Sequence, residues 1–454
     1  MDVIRIRTPG LGDTSYLLIH AGMGVLVDPQ RDVDRFLEAA HTAGVRLRYV
    51  LETHLHNDYV SGGREAARRS GAELVLPAGA GVAFPHIPAF HLEEFGDRGL
   101  VIRPLHTPGH TPEHVSYLVL IDGAPVALFS GGSLLVGSAG RTDLLGPERA
   151  RQLAVLQYGS LQRLSRLPEQ VALFPTHGEG SFCTVTTAGR ESSTIGVERR
   201  ENPALSYPDA QTFADGQLAA LGPFPRYYAH MGRINLFGPP PMPDRPVPEL
   251  TPAQVRALAG AAHLIDGRPR QEFAAGHIPG ALGIELTEQF GVWVGWLVPF
   301  NAPLVLVLNP GQDAGEAVTQ LARIGYDDVR GVLRGLDAWR EDGLPLVSFP
   351  LGTPAELAAA LARGERPQVL DVRAPDEWRS GHLPGAVHRY LPDLVDGVPS
   401  ELEPNAPVWV ACASGHRAAI AAGLLERHGY RPVLLTGGGI PDVLARLAAG
   451  LTAG

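Results

Sequence analysis

A chain of 454 residues is long enough for about two to four domains. A hydrophobic content of 44% without a run of about eighteen apolar residues indicates globular domains and excludes a membrane-spanning helix, and a net charge of −10 argues against nucleic-acid binding. Every basic residue is arginine, which excludes Schiff-base chemistry, a P-loop lysine and a lysine base.

The two cysteines, Cys183 and Cys412, are too few for a disulfide framework and fit a reducing compartment. The first residues, Met1–Arg7, alternate apolar and polar side chains like a first strand and lack the basic-then-apolar pattern of a signal peptide. We therefore expect a cytoplasmic protein with neither a membrane nor a nucleic acid as its partner.

Strands and helices alternate along the first half of the chain. Strands are predicted near Ser15–His20 and Gly24–Asp28 and at Arg48–Glu52, Glu73–Leu76, Val115–Ile121, Pro125–Ser130 and Val171–Phe174, and helices over Val33–Ala43, Gly63–Ser70 and Pro147–Ser165. Histidines follow several of these strands. This alternation predicts a layered α/β domain with a metal cleft along one sheet edge.

The strongest chemical signal follows the strand that ends at Glu52. His54, His56 and Asp58 occupy alternate positions, and side chains at i and i+2 share a face, so they can point towards one metal ion. The alternative is that these residues only cap a strand end. Two matching segments further along, which contain His110 and His177, favour the metal site.

A proline-rich segment, residues 238–248, predicts a stiff linker after a first domain of residues 1–237. Beyond it, the pattern of residues 266–281 recurs at residues 371–386, and both copies begin with an aspartate that ends an apolar strand. The repeat predicts two small parallel-sheet α/β domains, residues 249–348 and 352–454.

Cys412 lies between an apolar strand, Val408–Ala411, and an alanine-rich helix. Backbone N–H groups and the positive helix end should stabilise its thiolate and lower its pKa, and Arg417 adds a positive charge. We therefore expect Cys412 to attack a sulfane sulfur, carry it and yield it to an acceptor. The first copy has no cysteine here and has Asp313 in place of the arginine, so we interpret it as an inactive spacer or docking domain.

The motifs THLHND (53–58), TPGHTP (107–112) and PTHG (175–178) together resemble the metallo-β-lactamase superfamily. Within it the chain most resembles persulfide dioxygenases fused to rhodanese domains and, more distantly, glyoxalase II, and the Cys412–Arg417 loop resembles the rhodanese active loop. The resemblance implies an αββα sandwich followed by two rhodanese-like domains. It implies catalytic roles for Cys412 and Arg417 and substrate-binding roles for Ser414, Gly415, His416 and Arg141.

Glyoxalase-like relatives hold a first metal at the positions of His54, His56 and His110, and a second at those of Asp58, Tyr59 and His177. Related persulfide dioxygenases hold one iron at the positions of His54, His110 and an aspartate, where this chain has Gly132. The chain departs from these patterns at Tyr59 and Gly132. We therefore expect one metal, Fe(II) before Zn(II), held by His54, His56 and His110 with help from Asp58, and His177 completes the candidate ligands.

Other interpretations stay open. Asp143 could replace the missing carboxylate, or the first domain could have lost its metal. Arg141 could bind a substrate carboxylate or form a structural ion pair, whereas His106, His114 and Cys183 are better explained as residues without a direct role in the reaction. A persulfide relay is the alternative for Cys183.

The resemblance implies oxidation of a low-molecular-weight thiol persulfide, such as glutathione persulfide, to sulfite by dioxygen. The rhodanese domain would exchange sulfur with thiosulfate or a thiol through Cys412. Two alternatives are a mononuclear zinc thioester hydrolase and a protein with only sulfurtransferase activity. A homodimer is compatible with the family.

Overall fold

The computed structural model describes residues 1–184, 189–190, 192–243 and 246–452. These residues form two compact units, one of residues 1–244 with 319–326 and the other of residues 245–318 with 327–454. Residues 244 and 245 of the predicted linker and residues 453 and 454 of the last predicted domain lie outside the described residues. The domain boundaries given above stay a prediction.

The first sheet of the first unit has six strands in chain order. They are β1 (Asp2–Thr8), β2 (Asp13–His20), β3 (Met23–Val27), β4 (Arg46–Leu51), β5 (Glu73–Pro77) and β6 (Ile87–Ala89). The first three strands pair antiparallel, and β3 to β6 pair parallel. Parallel pairing requires crossovers, and helices α1 (Asp34–Thr42) and α2 (Gly63–Ser70) provide two of them.

The second sheet has the strand order β14-β13-β10-β9-β8-β7. A short ribbon follows β10, and four helices complete the unit. The strands are β7 (Phe95–Asp97), β8 (Leu100–His106), β9 (Val115–Ile121), β10 (Ala124–Gly131), β13 (Ala172–Pro175) and β14 (Ser193–Thr194), the ribbon is β11 (Leu134–Leu135) with β12 (Ser138–Ala139), and the helices are α3 (Pro147–Leu164), α4 (Ile195–Glu201), α5 (Ala210–Ala220) and α6 (Tyr228–Phe237).

The two sheets pack face to face and helices cover their outer faces. Alternate side chains of β2 divide between the layers, since Tyr16 and Leu18 join the core between the sheets while Leu17 joins the core under α1 and α2. The core outside the second sheet contains Leu161 of α3 and Phe213 of α5. The order of layers is therefore helix, sheet, sheet, helix, as predicted.

Several predicted elements have the observed bounds, among them the helix Gly63–Ser70 and the strand Val115–Ile121. Helices α5 and α6 were not predicted, because residues 202–233 lack a clear apolar period, and the short helix α4 was not predicted either. Side-chain caps define two of these helices, since Thr194 accepts from the Val197 N–H and Asp209 accepts from the N–H groups of Gln211 and Thr212.

The two predicted repeats each have a parallel sheet, and the strands of both sheets lie in the second unit. The first repeat has the strand order β16-β15-β17-β18 and the second has β19-β23-β22-β20-β21. The first is built from α7 (Pro252–Ala257), β15 (His263–Asp266), α8 (Arg270–Ala275), β16 (Leu282–Gly283), α9 (Phe290–Leu297), β17 (Leu304–Leu308), α10 (Ala314–Arg323), β18 (Val329–Arg334) and α11 (Asp337–Glu341). The second is built from β19 (Leu351–Gly352), α12 (Pro354–Ala362), β20 (Gln368–Asp371), α13 (Pro375–Ser380), β21 (Val387–His388), β22 (Pro407–Ala411), α14 (His416–Arg427), β23 (Arg431–Leu435) and α15 (Ile440–Thr452).

The repeated sequence has the same structural role in both copies. Asp371 ends β20, and its carboxylate binds the Arg373 guanidinium at 2.7 Å, which also donates to the Gly381 carbonyl oxygen. In the first copy Asp266 and Arg268 form the same buried pair at 2.6 Å. Each buried charge is therefore paired, and the pair fixes the turn between strand and helix.

Within the part of the chain that the structure describes, no helix combines the length and apolar character needed to cross a membrane.

Candidate metal centre and sulfur-transfer loop

The candidate ligands of the first unit come from loops at one edge of the sandwich. His54 follows β4, His110 lies between β8 and β9, and His177 follows β13. These loops meet because the Thr53 carbonyl oxygen accepts from the Val115 N–H at 2.8 Å and the Thr176 N–H donates to the Gly131 carbonyl oxygen at 3.0 Å. Residues far apart in sequence thus share one buried cluster.

Three imidazoles converge in this cluster. One ring nitrogen from each of His54, His110 and His177 lies within 4.8 Å of the others. The Nε2 atoms of His54 and His177 are 3.4 Å apart, and Nε2 of His110 is buried without a hydrogen-bond partner. Buried polar atoms without partners are unusual in native proteins, so a metal-binding role explains the arrangement better than packing does.

The opposite nitrogen of each ring has an acceptor. His54 Nδ1 lies 2.8 Å from Thr53 Oγ1, and the single hydroxyl proton of Thr53 goes to Asp28 Oδ2 at 2.7 Å. Thr53 therefore accepts from His54. Nδ1 of His110 faces the Arg141 carbonyl oxygen at 2.8 Å, and Nδ1 of His177 faces Asp13 Oδ1 at 2.9 Å. With protons on all three Nδ1 atoms, the Nε2 atoms present lone pairs, as metal-binding histidines do.

The electrostatics agree with this tautomer assignment for His54 and His110. Burial and neighbouring imidazoles hold the pKa of His54 well below its usual value, and burial and His177 lower the pKa of His110 to about 3. Burial also opposes charge on His177, but Asp58 and Asp13 outweigh it and raise its pKa to about 9. A divalent cation could therefore replace one proton on His177, since metal ligands must be deprotonated.

His56 lies in a different environment from the three converging rings. Its Nε2 is 3.3 Å from Asp28 Oδ1 and 3.4 Å from Glu52 Oε2, and its ring stacks on Tyr59 with centroids 4.3 Å apart. Although burial opposes charge, Asp28 and Glu52 raise the pKa of His56 well above its usual value. The positive charge of His56 thus compensates the negative charges of two buried carboxylates.

Asp58 lies between these two groups. Its Oδ2 is 3.1 Å from His177 Nδ1, and its Oδ1 is 3.9 Å from His56 Nδ1. These three residues form a second possible metal-binding group. The structure therefore brings all five predicted ligands together, but the set whose three ring nitrogens converge is His54, His110 and His177 rather than His54, His56 and His110. The ligand roles stay a prediction.

Gly132 lies directly against the imidazole ring of His110. A Cβ atom at Gly132 would lie 2.2 Å from Cδ2 of His110, so the imidazole ring occupies the space of any larger side chain. The position of the relatives' aspartate is therefore filled by His110 itself. Asp143, the other carboxylate considered, is bound to Arg141 through both oxygens at 2.7 and 2.8 Å.

We expect Gly132→Asp to destabilise the protein by about 2 kcal/mol, because overpacking a filled site displaces buried side chains. Gly159→Asp is the matched control, since Gly159 is exposed and a Cβ there meets nothing within 4 Å. Thermal unfolding of both variants and measurement of bound metal check the prediction. An unchanged Tm for Gly132→Asp together with a higher metal content would contradict it.

Several residues that support the cluster were not predicted. Asp28 accepts from the Thr53 N–H at 2.7 Å and from the Thr53 and Thr176 hydroxyl groups, so one carboxylate joins two ligand-bearing loops. Gln157 accepts from the His110 N–H at 2.9 Å, and Asn235 donates to the His56 carbonyl oxygen at 2.8 Å. Of these residues, only Asp28 could have been identified from the sequence, because it directly follows an apolar strand.

Arg141 is buried, and its guanidinium group is fully engaged. Besides Asp143, it donates to the carbonyl oxygens of Phe182 and Gly222, both at 2.8 Å, and it lies 4.5 Å from the centroid of the Phe224 ring. These contacts favour the structural ion pair over substrate binding.

The remaining candidates have local partners. His114 Nε2 accepts from the Gly132 N–H at 2.9 Å and its Nδ1 contacts Thr107 Oγ1 at 2.9 Å, so both ring nitrogens are used. His106 is exposed, with Nε2 at 3.0 Å from the Pro112 carbonyl oxygen. Cys183 Sγ lies 3.5 Å from Asp58 Oδ2, and burial and Asp58 raise its thiol pKa well above the usual value. The thiol is therefore neutral at neutral pH.

In the second unit, Cys412 follows β22 and α14 begins at His416. The Gly415 N–H donates to Cys412 Sγ at 3.1 Å, and Gly415 adopts φ +88°, which favours glycine. The orphan N–H groups of the α14 N-terminus face the same loop. The loop can therefore hold a sulfur anion.

The predicted binding residues of this loop differ in exposure. Ser414 is exposed, whereas His416 is partly buried and its Nε2 has no partner. Arg417 is held by both carboxylate oxygens of Glu377, one at 2.7 Å. The corresponding loop of the first repeat contains Gln312 instead, whose amide donates to the Gly267 carbonyl oxygen at 2.8 Å and accepts from the Asn309 N–H. That loop is filled by a side chain.

Sequence families match both units. The metallo-beta-lactamase superfamily matches residues 8–177, and the rhodanese-like domain matches residues 251–342 and 353–446. A hydroxyacylglutathione hydrolase from Methylobacillus flagellatus is 33% identical over 168 residues, which cover 36% of this chain and 60% of that protein. Another from Methylococcus capsulatus is 32% identical over 250 residues, which cover 53% of this chain and 92% of that protein.

Among solved structures, a metallo-beta-lactamase from Staphylococcus aureus subsp. aureus COL superposes with a TM-score of 0.67 at 28% identity, covering 74% of this chain and 99% of that chain. The similarity thus extends beyond the first unit. These matches confirm the predicted fold class. The chain belongs to the metallo-beta-lactamase superfamily, and its glyoxalase II-like domain is followed by two rhodanese-like domains.

Proposed function

We propose that the first domain oxidises a low-molecular-weight thiol persulfide to sulfite with dioxygen and that the last domain transfers sulfur through Cys412. The observation that carries the proposal is the convergence of three imidazole Nε2 atoms, with every Nδ1 atom tied to an acceptor. A sulfur-transfer loop in the same chain supplies the link to sulfur chemistry.

The donor set formed by His54, His110 and His177 suits a single metal ion. Neutral imidazoles suit Fe(II) and Zn(II), and oxygen chemistry favours iron. Bound at these three residues, Fe(II) would supply the one-electron chemistry that lets dioxygen react with a persulfide. The overall reaction balances when one persulfide, one dioxygen and one water give one thiol and one sulfurous acid, so sulfur is oxidised and dioxygen reduced.

Residues around the metal site would contribute to the oxidation in different ways. The three histidines keep their proton on Nδ1 because each Nδ1 atom faces an acceptor, which is Thr53, the Arg141 carbonyl oxygen or Asp13. The three ligand side chains are buried, which limits access of bulk water. A cavity of about 240 Å³ lies beside His177 and Asp13 and offers room for a small substrate.

At the second site, the Cys412 thiolate attacks a sulfane sulfur, and the bond between that sulfur and its carrier breaks with its electron pair leaving on the carrier. A thiol or sulfite then attacks the sulfur held on Cys412 and restores the thiolate. Glutathione persulfide, thiosulfate and thiols are the substrates that fit the two reactions.

A zinc thioester hydrolase is the second candidate, because the two relatives described above are named hydroxyacylglutathione hydrolases. Three histidines with an open position are typical of zinc sites that activate water. Tyr59, at the position of a second-metal ligand in relatives, instead donates to the Asp28 carbonyl oxygen at 3.2 Å, which favours one metal over two.

Metal analysis combined with two activity assays distinguishes these functions. The purified protein is reconstituted with Fe(II) or Zn(II), and oxygen uptake with glutathione persulfide is compared with hydrolysis of a glutathione thioester. We expect iron-dependent oxygen uptake and release of sulfite. Zinc-dependent thioester hydrolysis without oxygen uptake would support the hydrolase, and failure to bind either metal would leave only sulfur transfer.

A further inference from the structure

The first repeat has a cavity on the sheet edge opposite its filled loop. The cavity lies at the N-terminal ends of two strands, because His263 begins β15 and Pro303 precedes β17, whereas the loop with Gln312 follows the C-terminal end of β17. Its volume of about 590 Å³ falls within the range of about 300–1,000 Å³ that is typical of small-molecule sites. None of the residues assigned above to sulfur transfer lines it.

The floor of the cavity is apolar. It is formed by buried members of the hydrophobic core of this repeat, which are Val255, Ile278, Val305 and Trp339. The indole N–H of Trp339 already donates to the Pro345 carbonyl oxygen at 3.0 Å, so the floor has no need of a polar ligand atom there. At the rim, a Cβ atom added at Gly260 or Gly280 would meet nothing within 4 Å. The cavity is therefore open to solvent and suits an apolar group.

Positive charge lines the opening, and negative charge does not. Arg256 and Arg427 both line the cavity. None of its described lining residues is Asp or Glu, although the whole chain has 48 acidic and 38 basic residues. This local excess of positive charge in an acidic protein favours an anionic ligand.

Contacts with neighbouring groups hold Arg427 at the rim. Its Nε donates to the Gly280 carbonyl oxygen at 2.9 Å, and its Nη2 donates to the same oxygen. The adjacent carboxylate, Glu426, is already paired with His277 at 2.8 Å. Burial and Arg427 lower the pKa of His263, so this ring is neutral at neutral pH and can donate one N–H. An anion at the opening would thus meet two guanidinium groups and one imidazole.

We propose that this cavity binds a small carboxylic acid with an apolar chain, whose tail lies against the core and whose carboxylate lies at Arg256 and Arg427. A guanidinium fork matches a carboxylate in both charge and geometry. The site requires both repeats, because Arg427 belongs to α14 of the second one. It is independent of the reactions proposed at the metal and at Cys412, and it gives the repeat without a cysteine a binding function of its own.

Decanoate is the probe for this site, and calorimetry on the full-length protein measures its affinity. We expect Arg256→Gln and Arg427→Gln each to weaken decanoate binding about tenfold, as for loss of a hydrogen bond to a charged group. Decanol has the same chain without the charge, so it should bind equally well to the parent and to both variants. Arg366→Gln is the matched control, since Arg366 is an exposed arginine outside the cavity.

A second measurement locates the apolar tail. Decanoate with a terminal bromine atom should quench the fluorescence of Trp339 on contact, and Trp339→Phe should remove this quenching. Trp378→Phe is the control, because that ring lies in the second repeat and stacks on His382 with centroids 3.8 Å apart. Thermal unfolding shows whether both variants are folded.

The outcomes separate this site from other uses of the cavity. Absence of decanoate binding would overturn the proposal, as would equal losses in Arg256→Gln and Arg366→Gln. Quenching that persists in folded Trp339→Phe would place the tail elsewhere and would also overturn it. Self-association of the protein that Arg256→Gln abolishes would assign the cavity to a second copy of the chain instead.

Discussion

Replacing Cys412 with serine is expected to abolish sulfur transfer from thiosulfate to a thiol, lowering kcat by about a thousandfold or more. Cys412 is the sole thiol of the second unit, and its Sγ accepts a hydrogen bond from the Gly415 N–H. A serine hydroxyl is a far weaker nucleophile and cannot carry a persulfide. Colorimetric turnover assays and intact-protein mass spectrometry after incubation with thiosulfate measure the loss.

Cys183→Ser is the matched control for this experiment. Cys183 is buried in the first unit, and its thiol is held neutral by burial and by Asp58. Sulfur transfer should therefore persist in this variant, and one added sulfur atom should still be found on Cys412. Turnover that survives in Cys412→Ser, or is lost in Cys183→Ser, would refute the assigned nucleophile.

His110→Ala is expected to reduce metal occupancy to less than about a tenth, because it removes one donor of the His54, His110 and His177 group. Oxygen uptake should fall with it. The metal content of the reconstituted protein, measured by elemental mass spectrometry, checks the result. His106→Ala is the control from the same segment, since His106 is exposed and its ring faces the Pro112 carbonyl oxygen outside the cluster. Full occupancy in His110→Ala would disprove the ligand assignment.

A comparison of His177→Ala with His56→Ala distinguishes the two possible ligand sets. If the three Nε2 atoms hold the ion, the first variant loses the metal. The second is expected to lose folding stability instead, because it leaves the buried carboxylates of Asp28 and Glu52 uncompensated. A folded, metal-free His56→Ala protein alongside a metal-replete His177→Ala protein would favour the set predicted from sequence.

The strand ends were the most predictable part of the site. The apolar runs that precede His54, His177, Asp371 and Cys412 are local signals, and the corresponding strands were confirmed. The repeat could also be recognised from the sequence, because its aspartate and arginine recur in both copies. In the structure they form the same buried pair in each copy. These features depend on short stretches of sequence, where local patterns suffice.

The orientation of side chains could not be predicted in the same way. Whether His56 faces an ion or a carboxylate depends on Asp28, which lies on another strand, and on the ring of Tyr59. Such contacts arise from tertiary packing, and one sequence contains no periodic signal for them.

The three converging nitrogens belong to residues spread over much of the first domain, and His54 and His177 alone are 123 positions apart. Both sheets must form before these nitrogens meet, so an unfolded chain offers an ion no comparable site. An ion that binds here therefore selects the folded chain, and each tenfold rise in its free concentration above Kd adds about 1.4 kcal/mol to the unfolding free energy. Metal supply would thereby govern how long the protein persists as well as how fast it works.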